Sequence, residues 1–345
     1  MINQKSFLPK YLWNRLLLAY SYLKRESISR GLPNVIGIEL TNYCNLNCII
    51  CPREKMKRKV GYMDFSLFKK IVDEVAEYAE LVGLDLYGES LLHPKATDMI
   101  RYAKEKGLLT HISTNITNMD EKKAKKIIES GLDMIILSFD GTNKETYEKI
   151  RKGGKYWDTL ENLLTFLKVK KEMKSKTPFT VIQMIYMKYT QEQVIDFQKK
   201  FQSSSANIVR LKPFITLDRS KTWMSTFSPT ISKKPCIMLW RTLTIFWDGD
   251  VSTCCYDYDK KYILGNVNRK TIRELWNGKP MIALRKKHLE ENDQEVSLCK
   301  DCHPVEFSVP MILGSIFIDD LTTRKLLPIF EKFVISGKTK LLKYY

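Results

Sequence analysis

The chain of 345 residues has few prolines (12), no internal repeat and no low-complexity tract, the composition of a globular protein rather than a fibrous or linker-rich one. It also lacks a long uncharged apolar run. The longest candidate, Phe307 to Ile318, is about a dozen residues and closes on Asp319-Asp320, short of the roughly 18 that a membrane-spanning helix needs. No segment has the form of a secretory signal, because Leu16-Leu17-Leu18 follows Lys10 and Arg15 and is short and interrupted. Acidic residues are in deficit, 39 against 57 Lys plus Arg, for a net charge of +18. That excess draws phosphates, nucleic acid or anionic lipid but does not set a fold. No nucleic-acid module accompanies it, so no nucleic-acid partner is expected. Lysines such as Lys122, Lys123, Lys125 and Lys126 fall on an expected helix and read as a solvated face.

What is there is cysteine, eight residues in a chain with no sign of secretion. In a reducing, cytoplasmic compartment these are metal ligands or redox groups rather than disulfides. From Val35 onward, short apolar runs alternate with amphipathic helical patterns. Strands are expected at Val35–Leu40, Leu84–Tyr87, Leu108–Ser113, Met134–Phe139, Phe179–Met187 and Ile208–Leu211. Helices are expected from Asp64, with Phe68, Ile71, Val72, Val75 and Ala79 on one face, and from about Pro94 to Lys106. Others start at Asp120, stopping at Gly131, and near Lys144, Trp157 and Gln191. Six strand–helix units predict an α/β fold, a partial (β/α)6 barrel of the TIM type. Such barrels place their chemistry at the C-terminal ends of the strands.

The loop after the first strand holds Cys44, Cys48 and Cys51. A structural zinc site wants four protein ligands, and no histidine lies in this loop to complete one. A cubane iron-sulfur cluster takes one ligand per iron, so three cysteines leave one iron open for a small molecule. This C-x3-C-x2-C spacing resembles the radical SAM superfamily, a likeness that spans residues 35–215. The resemblance implies that the three cysteines hold a [4Fe-4S] cluster whose open iron chelates S-adenosylmethionine. Reductive cleavage of that cofactor gives a 5′-deoxyadenosyl radical, which abstracts a hydrogen atom from the substrate. Tyr87-Gly88-Glu89-Ser90 resembles the family's Gly-Gly-Glu motif, with Tyr87 replacing the first glycine, and so implies that Gly88 and Glu89 meet the cofactor's amino group. Ser113-Thr114-Asn115 matches a family Thr-Asn-Gly near the ribose, with Ile116 in place of the glycine. Ser138, in Ser138-Phe139-Asp140-Gly141, and Arg151 stand where relatives contact the cofactor's carboxylate. A guanidinium suits that role because it offers a planar fork of donors.

The other cysteines fall between 236 and 302. Cys236, Cys254, Cys299 and Cys302 form C-x17-C-x44-C-x2-C, with Gly249 five residues before Cys254. A zinc ribbon more often shows two C-x2-C knuckles. The set resembles the auxiliary-cluster extension named SPASM or, when shortened, twitch, as do Trp247-Asp248-Gly249, Leu264-Gly265-Asn266-Val267 and Leu275-Trp276-Asn277. The full form has seven cysteines and two clusters. Five are present here, enough for one fully ligated [4Fe-4S] cluster, with Cys255 taken as the spare and His303 as a neighbour rather than a ligand. The spacing is most similar to the shortened form in dehydrogenases that oxidise an aminocyclitol, a sugar-like alcohol. There the auxiliary cluster accepts the electron.

The expected organisation is an N-terminal helical extension (1–34), the partial barrel (35–215), a small α+β iron-sulfur domain (216–310) and a C-terminal helical tail (311–345). Residues 214–235 read as a connector, followed by a hairpin of Thr242–Trp247 and Val251–Thr253. Residues 7–24 form an amphipathic helix, packed on the barrel in the favoured reading and lying on a membrane surface in the other. Lys55-Met56-Lys57-Arg58-Lys59, directly after the cysteine loop, suits a phosphorylated or nucleotide-linked substrate or else a solvated loop. The resulting expectation is a radical SAM oxidoreductase with two [4Fe-4S] clusters that oxidises a polyol or sugar-like small molecule. A donor such as flavodoxin or ferredoxin would reduce it. No general base stands out, Asp140 and Glu89 being only nearby carboxylates. The rival readings are a peptide-modifying maturase of the same superfamily and a non-enzymatic zinc- or RNA-binding protein.

Overall fold

The computed structural model describes residues 8–214, 219–225, 235–300 and 302. The expected C-terminal tail, His303 and the apolar run Phe307–Ile318 lie outside the described residues, as do parts of the connector. After helix α1 (Leu8–Leu23), six strands alternate with helices: β1 Val35–Ile38, β2 Leu81–Gly83, β3 Leu109–Thr114, β4 Met134–Ser138, β5 Phe179–Tyr186 and β6 Ile208–Pro213. Between them run α2 Phe65–Val75, α3 Ala96–Glu105, α4 Glu121–Glu129, α5 Lys144–Ile150, α6 Tyr156–Glu172 and α7 Val194–Phe201. All six strands pair in parallel in chain order. Local chemistry sets the helix starts as expected. The Asp64 carboxylate accepts from the N–H groups of Ser66 and Leu67 at 2.7 and 3.4 Å, and Asp120 caps α4 by accepting from Lys123 N at 2.6 Å. Helix α4 ends before Gly131, whose φ of +80° suits the left-handed turn past a helix end.

Two features depart from the pattern reading. Strand β2 forms at Leu81–Gly83, not Leu84–Tyr87. The Leu84 N–H still donates to His111 O, but the next partner on β3, the Ser113 N–H, is taken by the Asp85 carboxylate at 3.0 Å. A side chain thus replaces the ladder, and Tyr87 lies in the loop beyond. The second feature concerns the C-terminal part. Its first strand, β7 (Thr242–Ile245), pairs in parallel with β1 from Val35↔Thr242 to Ile38↔Ile245. Strands β8 (Asp250–Ser252) and β9 (Ile263–Asn266) follow antiparallel, giving one nine-stranded sheet in the order β6-β5-β4-β3-β2-β1-β7-β8-β9. Among the described residues the sheet is open, and the cysteine-rich region grows from its β1 side. Helices α8 (Ile272–Trp276) and α9 (Lys279–Leu289) complete the described chain, with α8 started by a Thr271–Glu274 capping box.

The two faces of the sheet differ. Ile36, Ile38, Val82, Ile112, Ile135, Leu137, Ile182, Met184 and Leu211 join the helices' apolar residues in one core. The register puts the alternate residues on the concave face. There Leu109, Met134, Phe179, Ile136, Val181 and Ile208 form a separate apolar plug. His111, Ser113, Ser138, Gln183 and Arg210 share that face, with Gln183 directly opposite both Ser138 and Arg210. Ser138, Gln183 and Arg210 make a polar upper layer, while His111, opposite Met134, and Ser113, opposite Ile136, stand at the level of the apolar base. Gly83 makes room for this: a Cβ there would lie 2.4 Å from His111 Cε1.

Gly83→Ala is expected to destabilise the protein by about 1–3 kcal/mol through overpacking against the imidazole. Thermal or denaturant unfolding checks this, and adding His111→Ala to the same chain should recover most of the loss.

Candidate functional site

The cysteine loop follows β1 and lies across the C-terminal ends of the strands. Backbone hydrogen bonds from Asn47 N to Lys152 O (2.8 Å) and from Ile49 N to Ile150 O (3.0 Å) fasten it on either side of Arg151. The Arg53 guanidinium donates to Leu46 O at 2.7 Å and to Cys44 O at 3.4 Å, and Lys221 donates to Cys51 O at 2.9 Å. The three thiols share one environment. Burial pushes Cys48 up to about 11, Arg151 opposes this, and the charges of Cys51, Asp140 and Cys44 add to it. Cys44 and Cys51 are raised for the same first reason. Ligation must deprotonate them, so loading a metal cluster releases protons.

The motif residues converge on this loop. Asn115 donates to Cys44 Sγ at 3.6 Å and to Asn45 Oδ1 at 3.0 Å. Glu89 is buried and receives donors on both oxygens: Thr114 Oγ1 at 2.8 Å and Leu91 N at 3.3 Å on one, Asn115 N at 2.7 Å on the other. Burial pushes its carboxyl up, and these donors pull it back. Glu89 thus also braces the end of β3 beside Cys44. Gly88 has a structural cause of its own. Its φ is +104° and a Cβ would sit 2.4 Å from Thr41 O, so only glycine lets the strand-end loop approach so closely. Ile116, in the position of the family's glycine, is held at φ +66°, a conformation rare for a β-branched residue. Ser138 Oγ lies 3.2 Å from Ser113 Oγ on the lumen face. Arg151 binds the fully buried Asp140 through Nε at 2.7 Å and a terminal nitrogen at 2.6 Å, while Asp140 also accepts from Ile185 N at 2.6 Å. The carboxylate fixes the guanidinium in position near Cys48.

The C-terminal cysteines also gather. Cys236 precedes a short 3-10 turn, Ile237–Trp240, while Cys254 and Cys255 follow β8. Burial, reinforced by neighbouring thiols, pushes Cys236, Cys299 and Cys302 each up to about 12. The charge of Cys255 bears on Cys236, Cys254 and Cys302, and this residue is the more exposed of the group. Among the described residues, no three His, Cys, Asp or Glu side chains converge as single-ion ligands. A cubane, by contrast, takes one thiolate at each iron corner and so holds its ligands further apart. The donor sets fit such a group.

Family models match two parts of the chain, that of the radical SAM superfamily over residues 38–201 and that of SPASM, an iron-sulfur cluster-binding domain, over 236–303. The chain belongs to the radical SAM superfamily. Iron-sulfur clusters and S-adenosylmethionine are the cofactors these domains imply. The S-adenosyl-L-methionine-dependent 2-deoxy-scyllo-inosamine dehydrogenase of Niallia circulans is 23% identical, over 79% of this chain and 93% of its own. The tungsten-containing aldehyde ferredoxin oxidoreductase cofactor-modifying protein of Pyrococcus furiosus is also 23% identical, over 69% of this chain and 79% of its own. Three further curated relatives are matched over only 31–55% of their own length. The crystal structure of BtrN in complex with AdoMet and 2-DOIA superposes with a TM-score of 0.55 at 20% identity, over 79% of this chain and 94% of that one, a likeness of fold.

Pattern reading missed two residues of this radical SAM site. Arg58 belongs to the basic run expected to be solvated or to take phosphate. It is instead buried in a two-nitrogen contact with Glu39, at 2.5 Å for one of the pair. Its Nε donates to Tyr258 O at 2.7 Å and its guanidinium lies 4.7 Å over the Phe246 ring. Glu39, an acid in the apolar run Val35–Leu40, was the available signal. Tyr87 was noted only as a missing glycine. Its hydroxyl donates to Cys255 O at 2.7 Å and its ring meets Tyr258 edge-on at 6.1 Å, so it joins the barrel mouth to the SPASM cysteines.

Arg58→Ala is expected to cost about 3–5 kcal/mol, because it leaves the buried Glu39 carboxyl without its guanidinium partner. Chemical denaturation measures it, and the Glu39→Leu/Arg58→Met pair should lose much less.

Proposed function

We propose that this radical SAM enzyme oxidises a hydroxyl-bearing, sugar-like small molecule seated in the barrel lumen. One [4Fe-4S] cluster would lie on Cys44, Cys48 and Cys51 and a second on Cys236, Cys254, Cys299 and Cys302. The observation that carries the reading is the polar layer above the apolar plug. Gln183 is buried there, and its Oε1 has no hydrogen-bond partner among the described residues. A buried amide oxygen without a partner favours a ligand that brings a donor, as a hydroxyl does. The match to 93% of the length of the 2-deoxy-scyllo-inosamine dehydrogenase supports the same class. When bound, the cofactors supply a radical that takes a hydrogen atom from a carbinol carbon and an acceptor for the electron that then leaves with the hydroxyl proton to give a carbonyl.

This chain's own residues bind and orient the cofactor and the substrate. Ser138 and Arg151 would hold a carboxylate of S-adenosylmethionine, with Asp140 fixing the guanidinium in position. Gly88, Glu89 and Asn115 shape the rim above Cys44. Glu89 and Asp140 are already engaged with several donors, which leaves them poorly placed as bases. His111 also lies on the lumen face, with Nε2 3.4 Å from Asp85 Oδ1, but it stands opposite Met134 at the level of the plug, below the layer that would seat the substrate. Lys55, Lys57 and Lys59 are exposed beside the cysteine loop and suit a phosphorylated or nucleotide-linked substrate.

Iron and sulfide are measured after anaerobic reconstitution of the wild type and of a Cys44/Cys48/Cys51→Ala variant. Two cubanes require about eight irons per wild-type chain and about four in the variant. About four and none would leave the C-terminal cysteines without a cluster and the oxidation without its electron acceptor. Zinc in place of iron, with no S-adenosylmethionine cleavage, would overturn the enzyme reading. In the loaded enzyme, Gln183→Leu should preserve 5′-deoxyadenosine formation while lowering the yield of oxidised product from a sugar and polyol panel about tenfold.

A further inference from the structure

Helix α1 has two apolar faces, and the barrel covers one of them. Tyr11, Leu18 and Tyr22 are buried, with Tyr22 edge-on to Trp240 at 5.4 Å and its hydroxyl donating to Pro235 O at 2.9 Å. The Asn14 amide donates to Leu32 O and accepts from Leu32 N, both at 2.8 Å. Arg15 forks onto the buried Glu80 at 2.7 and 2.5 Å. Leu32 and Glu80 precede β1 and β2, so α1 lies at the N-terminal end of the barrel, away from the cysteine loop.

The other face carries Trp13, Leu16, Tyr20 and Leu23, spaced by three and four so that they form one row along the helix. All four are exposed, Trp13 by 64%, and Ile28 continues the patch at 59%. A row of large apolar side chains in water marks an interaction surface. The helix has no acidic residue. Exposed Lys24, Arg25 and Arg30 follow it, and the Arg30 guanidinium lies 4.7 Å over the Tyr20 ring while pairing with Glu26.

We propose that this face lies in the headgroup layer of an anionic lipid bilayer and holds the enzyme on the membrane surface. Trp and Tyr beside Leu, on a helix without acids and flanked by cations, is the composition of an in-plane interfacial helix. The net charge of +18 adds long-range attraction to such a surface. The chain's own end brings no net counter-charge, since residues 303–345 carry six Lys or Arg against the four acids Glu306, Asp319, Asp320 and Glu331. Because α1 is at the N-terminal end of the barrel, attachment leaves the lumen mouth facing away from the lipid.

Flotation of the full-length, cluster-loaded protein tests this with phosphatidylcholine vesicles, with and without phosphatidylglycerol. Binding is expected only with phosphatidylglycerol and should weaken with salt. A Trp13→Ser/Leu16→Ser/Tyr20→Ser chain should bind about tenfold less tightly while keeping wild-type unfolding and S-adenosylmethionine cleavage. Brominated lipid should quench tryptophan emission in the wild type and not in Trp13→Phe, a change too small to affect folding. No flotation would overturn the proposal, as would binding and quenching unchanged in both variants, which would mean adsorption through charge elsewhere. A wild-type dimer that the triple variant abolishes, without vesicle binding, would overturn it in favour of a second copy. None of these readouts depends on the substrate assigned above.

Discussion

The buried contact between Glu39 and Arg58 is the interaction on which the site's architecture rests. Glu39 directly follows β1, Arg58 ends the cysteine loop, and the same guanidinium reaches Tyr258 and Phe246 in the SPASM region. Two charges out of water carry a large desolvation cost, which an excellent two-nitrogen geometry and further hydrogen bonds offset. The pair therefore acts more as a positional constraint than as a source of stability. It closes the loop that carries Cys44, Cys48 and Cys51 over the strand ends and sets the second cysteine group beside it. The pairing of β7 with β1 does the same through the backbone. Two cysteine sets nearly two hundred residues apart in the chain thus share one scaffold.

Within that scaffold, several motif residues have two jobs. Gly88 and Glu89 hold the strand-end loop against the cysteine loop and β3, and Asn115 touches Cys44 itself. Asp140 locks Arg151. These contacts place donors near the cysteines on rigid strand ends, which suits chemistry that requires a cofactor to be aimed at one bond. The lumen offers the complementary surface. Its plug excludes water below, and Ser138, Gln183 and Arg210 present polar groups above. Tyr87, standing where the family motif has glycine, ties the loop beyond β2 to Cys255 through one hydrogen bond.

Helix α1 shows why an amphipathic pattern is ambiguous. Its two apolar rows interleave at helical spacing, so the sequence supports packing and surface attachment alike. The structure uses one row for the first purpose and leaves the second exposed at the end of the barrel opposite the mouth.

The strand–helix alternation, the capped helix starts at Asp64 and Asp120, the two cysteine groups and the motif positions were legible from the residues alone. All depend on local periodicity, local hydrogen bonds or fixed spacing, which need no distant partner. The position of β2 was not legible, because Asp85 ends that strand by bonding to Ser113 on a neighbouring one. The fate of Arg58 was not legible either, since a basic run in a loop looks solvated until Glu39 and Tyr258 surround one of its members. The polar lumen emerged only from the register, which aligned Ser138, Gln183 and Arg210 from three separate strands. Non-local pairing decides which face a residue presents and who its neighbours are, and that information resides in the folded sheet.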